Sequence, residues 1–399
     1  MADASALAPL GGSTTSHLCS VKAGIYTLPA QQAGAAEPKA DMTVAEFAAA
    51  AAPEVGAQMW NRSKKCGACG KINAVTMVNC NGCGASLAQT PETATENVPM
   101  GFVYGVAKTK NFPLKLSMRL QEPMMLVYDD PLARATCHMN AIPTNVHLPD
   151  WRWLLTRPAD ALPLLRRLED AAWRAVEANF YSNDGWRASV LREGACPTSA
   201  ALRPHCIAAF NAVVSQYQLH MHYIVPPFRP DSYHSLIIGR RFEKGRWLPM
   251  AYVYAALEAL GGEGIADAPN METAELLAML EAKGAPNYSE AYDAEIERNI
   301  ASHKALANWS PDAFGHLATA AVEEPGGGAY AYTLSPVGGG GGDGAATVAG
   351  VLKEDGKHLS SYGWGADASD ARAPTSYYSF AKAADEVLTS TEWREKGGT

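Results

Sequence analysis

The sequence predicts an α+β protein, and three observations carry that reading. Short apolar strands interleave with one strong amphipathic helix between about residues 101 and 261. Two further helices follow at 270–306, divided by Gly284-Ala285-Pro286. Upstream, two Cys-x2-Cys pairs mark a small module of their own. The 399 residues leave room for two or three folded units at ~100–200 residues each. With 47 % hydrophobic and 19 % charged residues the chain is globular rather than disordered. Its 33 Lys and Arg against 41 Asp and Glu, a formal charge of −8, exclude a histone-like surface wrapped in phosphate. No apolar run approaches the ~20 residues that span a bilayer. Met1-Ala2-Asp3-Ala4 lacks the positive start of a secretory signal, so an intracellular protein, cytoplasmic, nuclear or within an organelle, is expected.

Residues 1–57 are Ala-rich, with one helix-like stretch from Met42 to Ala51, and read as a flexible arm. Residues 58–88 hold Cys66, Cys69, Cys80 and Cys83 in the pattern C-x2-C-x10-C-x2-C. In a chain without a secretory signal, that spacing points to a structural zinc ion held by four thiolates. The competing readings are a redox pair or coincidence. Gly67, Gly70, Gly82 and Gly84 allow the tight turns around such a metal. Cys19, Cys137, Cys196 and Cys206 are scattered and are expected as buried free thiols. The polar segment Thr90–Asn97 reads as a linker, so Cys80→Ser is expected to unfold the small module alone.

Between residues 100 and 262, Met124–Tyr128 forms an apolar strand that stops at the turn signal Asp129-Asp130-Pro131. Cys137–Pro143 is a second strand. Ala161–Phe180 places Leu164, Leu165, Leu168, Ala171, Ala172 and Val176 at helical spacing. Ile207–Phe210 and Gln216–Val225 are further strands, the latter closed by Pro226-Pro227. Trp151 and Trp153 fit the alternation of a half-buried strand, with stacking on a nucleic-acid base as the other reading. A helical extension covers 263–324, a Gly-rich linker 325–350, and a Tyr/Trp/Ser-rich segment 351–399 with a helix-like Phe380–Thr391.

The most informative stretch is Ser215 to Pro226. Alternate side chains of a strand share a face, so Gln218, His220 and His222 are expected to project together. A neutral imidazole can attack phosphorus, and a neighbouring one can bind a phosphate oxygen or set the attacking tautomer. The same spacing also suits a metal site, or two plain sheet histidines. His138, Asn140 and Asn211 are candidates to reach the phosphates. Arg229, Arg240, Arg241, Lys244 and Arg246 form the densest basic cluster, which serves either as a polyphosphate cradle or as a solvated face.

Ser215–His222 resembles the active-site strand of the histidine-triad superfamily, H-φ-H-φ-H-φ-φ, and the ordered set around it resembles the scavenger messenger-RNA decapping branch. That set comprises Ala135–Pro143, Leu155–Leu168, and Gly245–Pro249 leading into Tyr252–Leu260. The resemblance covers roughly residues 100–262. It implies an antiparallel-sheet domain with packed helices and a nucleotidyl intermediate on the middle histidine. Matching Ser215, Tyr217 and Leu219 places Gln218 at the first His, His220 at the nucleophile and His222 at the third position. The other register makes His222 the nucleophile and leaves Ile224, which cannot assist a leaving group, in third place. Implied substrates are an mRNA cap remnant or a dinucleoside polyphosphate, and implied partners a nucleotide or capped-RNA fragment and a second copy of the chain. The alternative is a catalytically degenerate scaffold, a nucleotide- or RNA-binding subunit of a larger assembly.

Cys69, Asn73, Cys80 and Cys83 fit C-x3-N-x6-C-x2-C and resemble the Ran-binding-protein type of zinc finger, in which a buried Asn braces both knuckles. That family's Trp position is Lys64 here. Its guanine-stacking aromatic and arginines are replaced by Ala74, Thr76 and Met77, and its ubiquitin-binding Thr-Phe pair by Gly70-Lys71. Arg62, Lys64, Lys65 and Lys71 remain as weak phosphate contacts, so the module reads as structural or protein-docking.

Overall fold

The computed structural model describes residues 39, 41–80, 84–112, 117–122, 124–130, 133–212, 214–229, 232, 233, 236, 242 and 244–308. It also gives the backbone of short strands at 20–22, 25–27, 321–324, 327–334 and 348–353. Helices α1 (Val44–Ala50) and α2 (Pro53–Gln58) lead into β1 (Trp60–Lys65), β2 (Ile72–Ala74) and β3 (Glu92–Glu96). After α3 (Val98–Val103) come β4 (Met118–Glu122), β5 (Met125–Asp129) and β6 (Ala135–Pro143). The long helix α4 (Pro158–Val176) and α5 (Asp184–Val190) precede β7 (Ile207–Asn211), β8 (Met221–Phe228) and β9 (Trp247–Pro249). Helices α6 (Met250–Ala259), α7 (Thr273–Ala282) and α8 (Tyr288–Leu306) follow. No helix among the described residues is long and apolar enough to cross a membrane.

An antiparallel six-stranded sheet in the order β4-β5-β6-β8-β7-β9 forms the centre, which makes the class α+β. Its pairing sorts the side chains. Met221 opposite Ala141, Tyr223 opposite Met139 and Val225 opposite Cys137 share one face. These residues join one core with Leu164, Leu165, Leu168, Ala171 and Ala172 of α4, whose spacing of three to four puts them on one stripe. Each such buried leucine contributes roughly 1.5–3 kcal/mol of burial. The opposite face carries Leu126 against Ile142, Tyr128 against Asn140, His222 against Asn140, and Ile224 against His138. One half of that face is apolar and covered, and the other half is polar.

The cover comes from the segment expected to be a flexible arm. Thr43 and Glu46 close a reciprocal capping box on α1, and Phe47 is fully buried with Met59, Phe102 and Tyr104 over Leu126, Tyr128 and Ile142. The helix-like stretch Met42–Ala51 is indeed helical, but it is docked on the sheet rather than part of a flexible arm. The expected linker at Thr90–Asn97 also differs, because Glu92–Glu96 pairs antiparallel with β1. Its side chains are largely exposed on both faces, so no apolar alternation announces the strand. Trp151 and Trp153 lie in a 3-10 helix (Trp151–Thr156) rather than a strand. Pro226 and Pro227 sit inside β8 at a shift of register instead of closing it. The expected Gly-rich linker contains antiparallel strands at Gly327–Leu334 and Val348–Lys353, and Phe380–Thr391 lies outside the described residues.

The cysteine module has a small apolar cluster of its own, Cys66, Cys80 and Leu87, and hydrogen bonds join it to the histidine domain. Asn61 Oδ1 accepts from the Tyr217 backbone N–H at 2.7 Å, and the Tyr217 hydroxyl donates to the Arg62 carbonyl at 3.1 Å. Asn97, fully buried, donates to the carbonyls of Gln58 and Tyr217 while its Oδ1 caps α3 at Met100 N–H. Asn97→Ala therefore removes a cap and leaves two buried carbonyls short of a donor. It is expected to lower the unfolding free energy by about 2–4 kcal/mol, read from the urea midpoint at constant m-value.

Candidate functional site: a cysteine cluster and a row of imidazoles

Two hairpin knuckles build the cysteine site. Gly70 N–H closes back on the Cys66 carbonyl at 2.8 Å, and Gly84 N–H on the Cys80 carbonyl at 2.9 Å. Both glycines adopt φ of 74°, which a side chain resists. The Sγ atoms of Cys66, Cys69 and Cys80 lie within 4.8 Å of one another, with Cys69 and Cys80 3.6 Å apart. That separation is far beyond a disulfide bond and close to the ~3.8 Å between thiolates that each stand ~2.3 Å from one tetrahedral ion. Buried Asn73 donates to the Lys71 carbonyl at 2.8 Å and toward Cys80 Sγ at 3.6 Å, tying the two knuckles together. The donor set fits a metal ion. Cys83 lies outside the described residues.

At the polar half of the sheet, β6, β7 and β8 bring His138, Asn140, Asn211 and His222 together, with His220 one residue ahead of β8. The Arg134 backbone N–H donates to His138 Nδ1 at 3.1 Å, so neutral His138 keeps its proton on Nε2. That nitrogen faces His222 Nδ1 at 3.2 Å and Asp130 Oδ2 at 3.5 Å. His222 Nδ1 is also 3.2 Å from Asp130 Oδ2, its Nε2 meets the Asn211 amide at 2.8 Å, and Asn140 Nδ2 donates to Asp130 at 2.9 Å. Whichever end the Asn211 amide presents, both nitrogens of His222 are occupied. Asp130, His138 and His222 are close enough for a metal, but the proton on His138 Nε2 removes the lone pair a metal would need. This cluster is a hydrogen-bonded relay.

His220 is different. Its Nδ1 lies 2.7 Å from the Gln218 carbonyl, which can only accept, so the proton sits on Nδ1 and the Nε2 lone pair is available. Nε2 has no hydrogen-bond partner among the described residues, and the side chain is half-buried. Loss of hydration, then the adjacent His222 ring 5.3 Å away, push the His220 imidazole down to about 4. Burial likewise holds His138 down at about 3, against the pull of Asp130. A neutral imidazole with one exposed, unprotonated nitrogen is a nucleophile at neutral pH.

Other candidate residues lie elsewhere. Gln218, expected beside the histidines as a phosphate donor, precedes β8 and is turned inward. Its amide donates to the carbonyls of Pro143 and Val146 and accepts from Leu148 N–H, so it has nothing left for a phosphate. Arg229 is buried and bonded to the Ala133 carbonyl, and Lys244 pairs with Asp293. Arg246 borders a cavity and reaches Met77 Sδ at 3.5 Å, while Arg240 and Arg241 lie outside the described residues. Cys137 and Cys196 are buried free thiols, Cys206 is a half-buried one, and Cys19 lies outside. Sequence reasoning missed Asp130, taken as part of a turn. Counting back along the hairpin would have found it, since its N–H pairs with the His138 carbonyl at 2.9 Å. Trp247, whose ring stands 5.6 Å from His222, carried no signal of its own.

No protein-family model, curated protein or solved structure matches this chain.

The buried neutral histidines give a pH dependence of stability. His303, wholly buried and accepting from Phe228 N–H, is also held at about 3 by burial. Unfolded imidazoles titrate near ~6.5, so the unfolded chain takes up these protons first. Stability is therefore full above about pH 6.5 and falls as the pH drops toward 3, by about 1.4 kcal/mol per pH unit for each such histidine. Urea midpoints at pH 7.5, 6 and 5 are expected to decrease steadily. Equal midpoints would contradict neutral burial.

Proposed function

We propose that this chain is a histidine-triad-type nucleotide hydrolase or nucleotidyl transferase that cleaves a phosphoanhydride through His220. One observation carries the reading: the Gln218 carbonyl, 2.7 Å from Nδ1, leaves the His220 Nε2 lone pair available. In the first step Nε2 forms a bond to phosphorus, and the anhydride P–O bond breaks with its electron pair on the leaving phosphate oxygen. The charge that develops on the ring is spread toward Nδ1–H and the Gln218 carbonyl. Water or another acceptor hydroxyl then attacks phosphorus, the P–N bond breaks with its electron pair returning to Nε2, and the proton of the attacking oxygen passes to solvent. His222 positions this centre, held in turn by Asn211, His138 and Asp130. Substrates of the class are a cap dinucleotide or a dinucleoside polyphosphate. The metal is zinc, with Cys83 completing the donor set of Cys66, Cys69 and Cys80.

Native chain mixed with an α-phosphate-labelled dinucleoside tetraphosphate or cap dinucleotide should yield a protein adduct that survives alkali and is lost in acid, as an N–P bond requires. His220→Ala should abolish the adduct and lower kcat/KM by about 10³-fold or more. Because the ring stays neutral until about pH 4, the rate should be level down to about pH 5. Nucleotide binding without an adduct or turnover would favour the catalytically degenerate scaffold, for which the inward-turned Gln218 amide speaks. The metal assignment predicts one zinc per chain by elemental analysis and less than one in Cys80→Ser.

A further inference from the structure

A cavity of about 1050 Å³ lies between the metal module and the histidine domain. Ligand pockets commonly measure about 300–1,000 Å³, so it has room for a nucleoside with phosphates. One side is the segment Ala74–Cys80 of the metal module, and the other includes Trp153 and the start of α7 at Thr273 and Ala274. Three more lining residues, Ala212, Tyr217 and Arg246, are chain neighbours of residues that touch the imidazoles. Ala212 follows Asn211, which meets His222. Arg246 precedes Trp247, whose ring stands beside His222, and Tyr217 precedes Gln218, whose carbonyl orients His220. The aromatic faces of Trp153 and Tyr217 with the guanidinium of Arg246 suit a planar base and an anionic phosphate.

The metal cluster brackets the cavity wall. Asn73 and Cys80 stand at either end of residues 74–79 and are in contact with each other at 3.6 Å. Lys64 Nζ holds the Met77 carbonyl at 3.3 Å, and Leu87 N–H the Val78 carbonyl at 2.7 Å. Arg246 reaches across to Met77. We propose that the metal module is part of the substrate site: the nucleoside portion of the substrate lies in this cavity, and the thiolate cluster sets the shape of the wall it rests on. This rests on the phosphoanhydride reading and gives the module a task that neither docking nor simple scaffolding supplies.

Thr76 and Ala274 are exposed on opposite walls, so a tryptophan at either position fills the cavity without disturbing a core. Titration calorimetry on the full-length His220→Asn chain would measure binding of diadenosine tetraphosphate and of a methylated cap dinucleotide. The same chain carrying Thr76→Trp or Ala274→Trp, and the chain stripped of metal by a chelator, would be titrated in parallel. Affinity for the better probe is expected to fall at least tenfold in all three, and KM to rise by a similar factor in the two tryptophan variants with His220 intact. Affinity and KM within twofold of the parent in both tryptophan variants, while the native chain cleaves the probe, would overturn the inference and leave the catalytic reading standing. A native chain that neither binds nor cleaves either probe would overturn both.

Discussion

The site depends on one buried carboxamide. The Gln218 side chain is engaged at both ends, donating to Pro143 and Val146 and accepting from Leu148, with no exposure to water. A residue pinned in this way cannot rotate its own peptide freely, so its carbonyl stays where His220 Nδ1 finds it. Leaving any of those polar groups unpaired in the interior costs about 1–3 kcal/mol, which is what holds the turn in place. The tautomer of His220 is thus decided by the packing of a loop from the far side of β6. His138 follows the same logic, its proton placed by the Arg134 amide.

Strand parity then divides the labour of the sheet. Met221, Tyr223 and Val225 of β8 enter the core with α4, and His222 lines the opposite face, where the imidazoles collect. The apolar half of that face is sealed by α1, α2 and α3, and the polar half borders the metal module. Tyr217 joins the two regions, since its N–H, carbonyl and hydroxyl all bond to residues between Asn61 and Asn97. The cysteine module and the loop before β8 are thus joined directly by three hydrogen bonds.

Much of this was legible in the chain, and the failures have physical causes. The Leu164–Val176 spacing located α4, and the Cys-x2-Cys pairs located the knuckles, because both patterns are local. The His-x-His spacing put His220 and His222 side by side, although His220 stands one residue ahead of β8. It failed for Gln218, whose amide is turned inward to Pro143, Val146 and Leu148. The helix-like stretch Met42–Ala51 was legible, but its docking was not, because Phe47 packs against residues distant in sequence. Glu92–Glu96 has no apolar face to detect, since its stability comes from backbone pairing with β1 and not from burial. The relay through Asp130 joins residues from separate strands, which no local pattern encodes.

The outer end of the sheet has a consequence of its own. Strand β9 is three residues long and ends in Pro249, which has no N–H to offer a neighbour. On that border the Tyr288 hydroxyl from α8 already donates to the Trp247 carbonyl at 2.8 Å and accepts from Gly245 N–H. An incoming extended chain would find the Trp247 carbonyl already taken and no N–H at Pro249. The strands that carry the imidazoles are therefore shielded at that margin from the edge-to-edge growth that turns exposed sheets into aggregates.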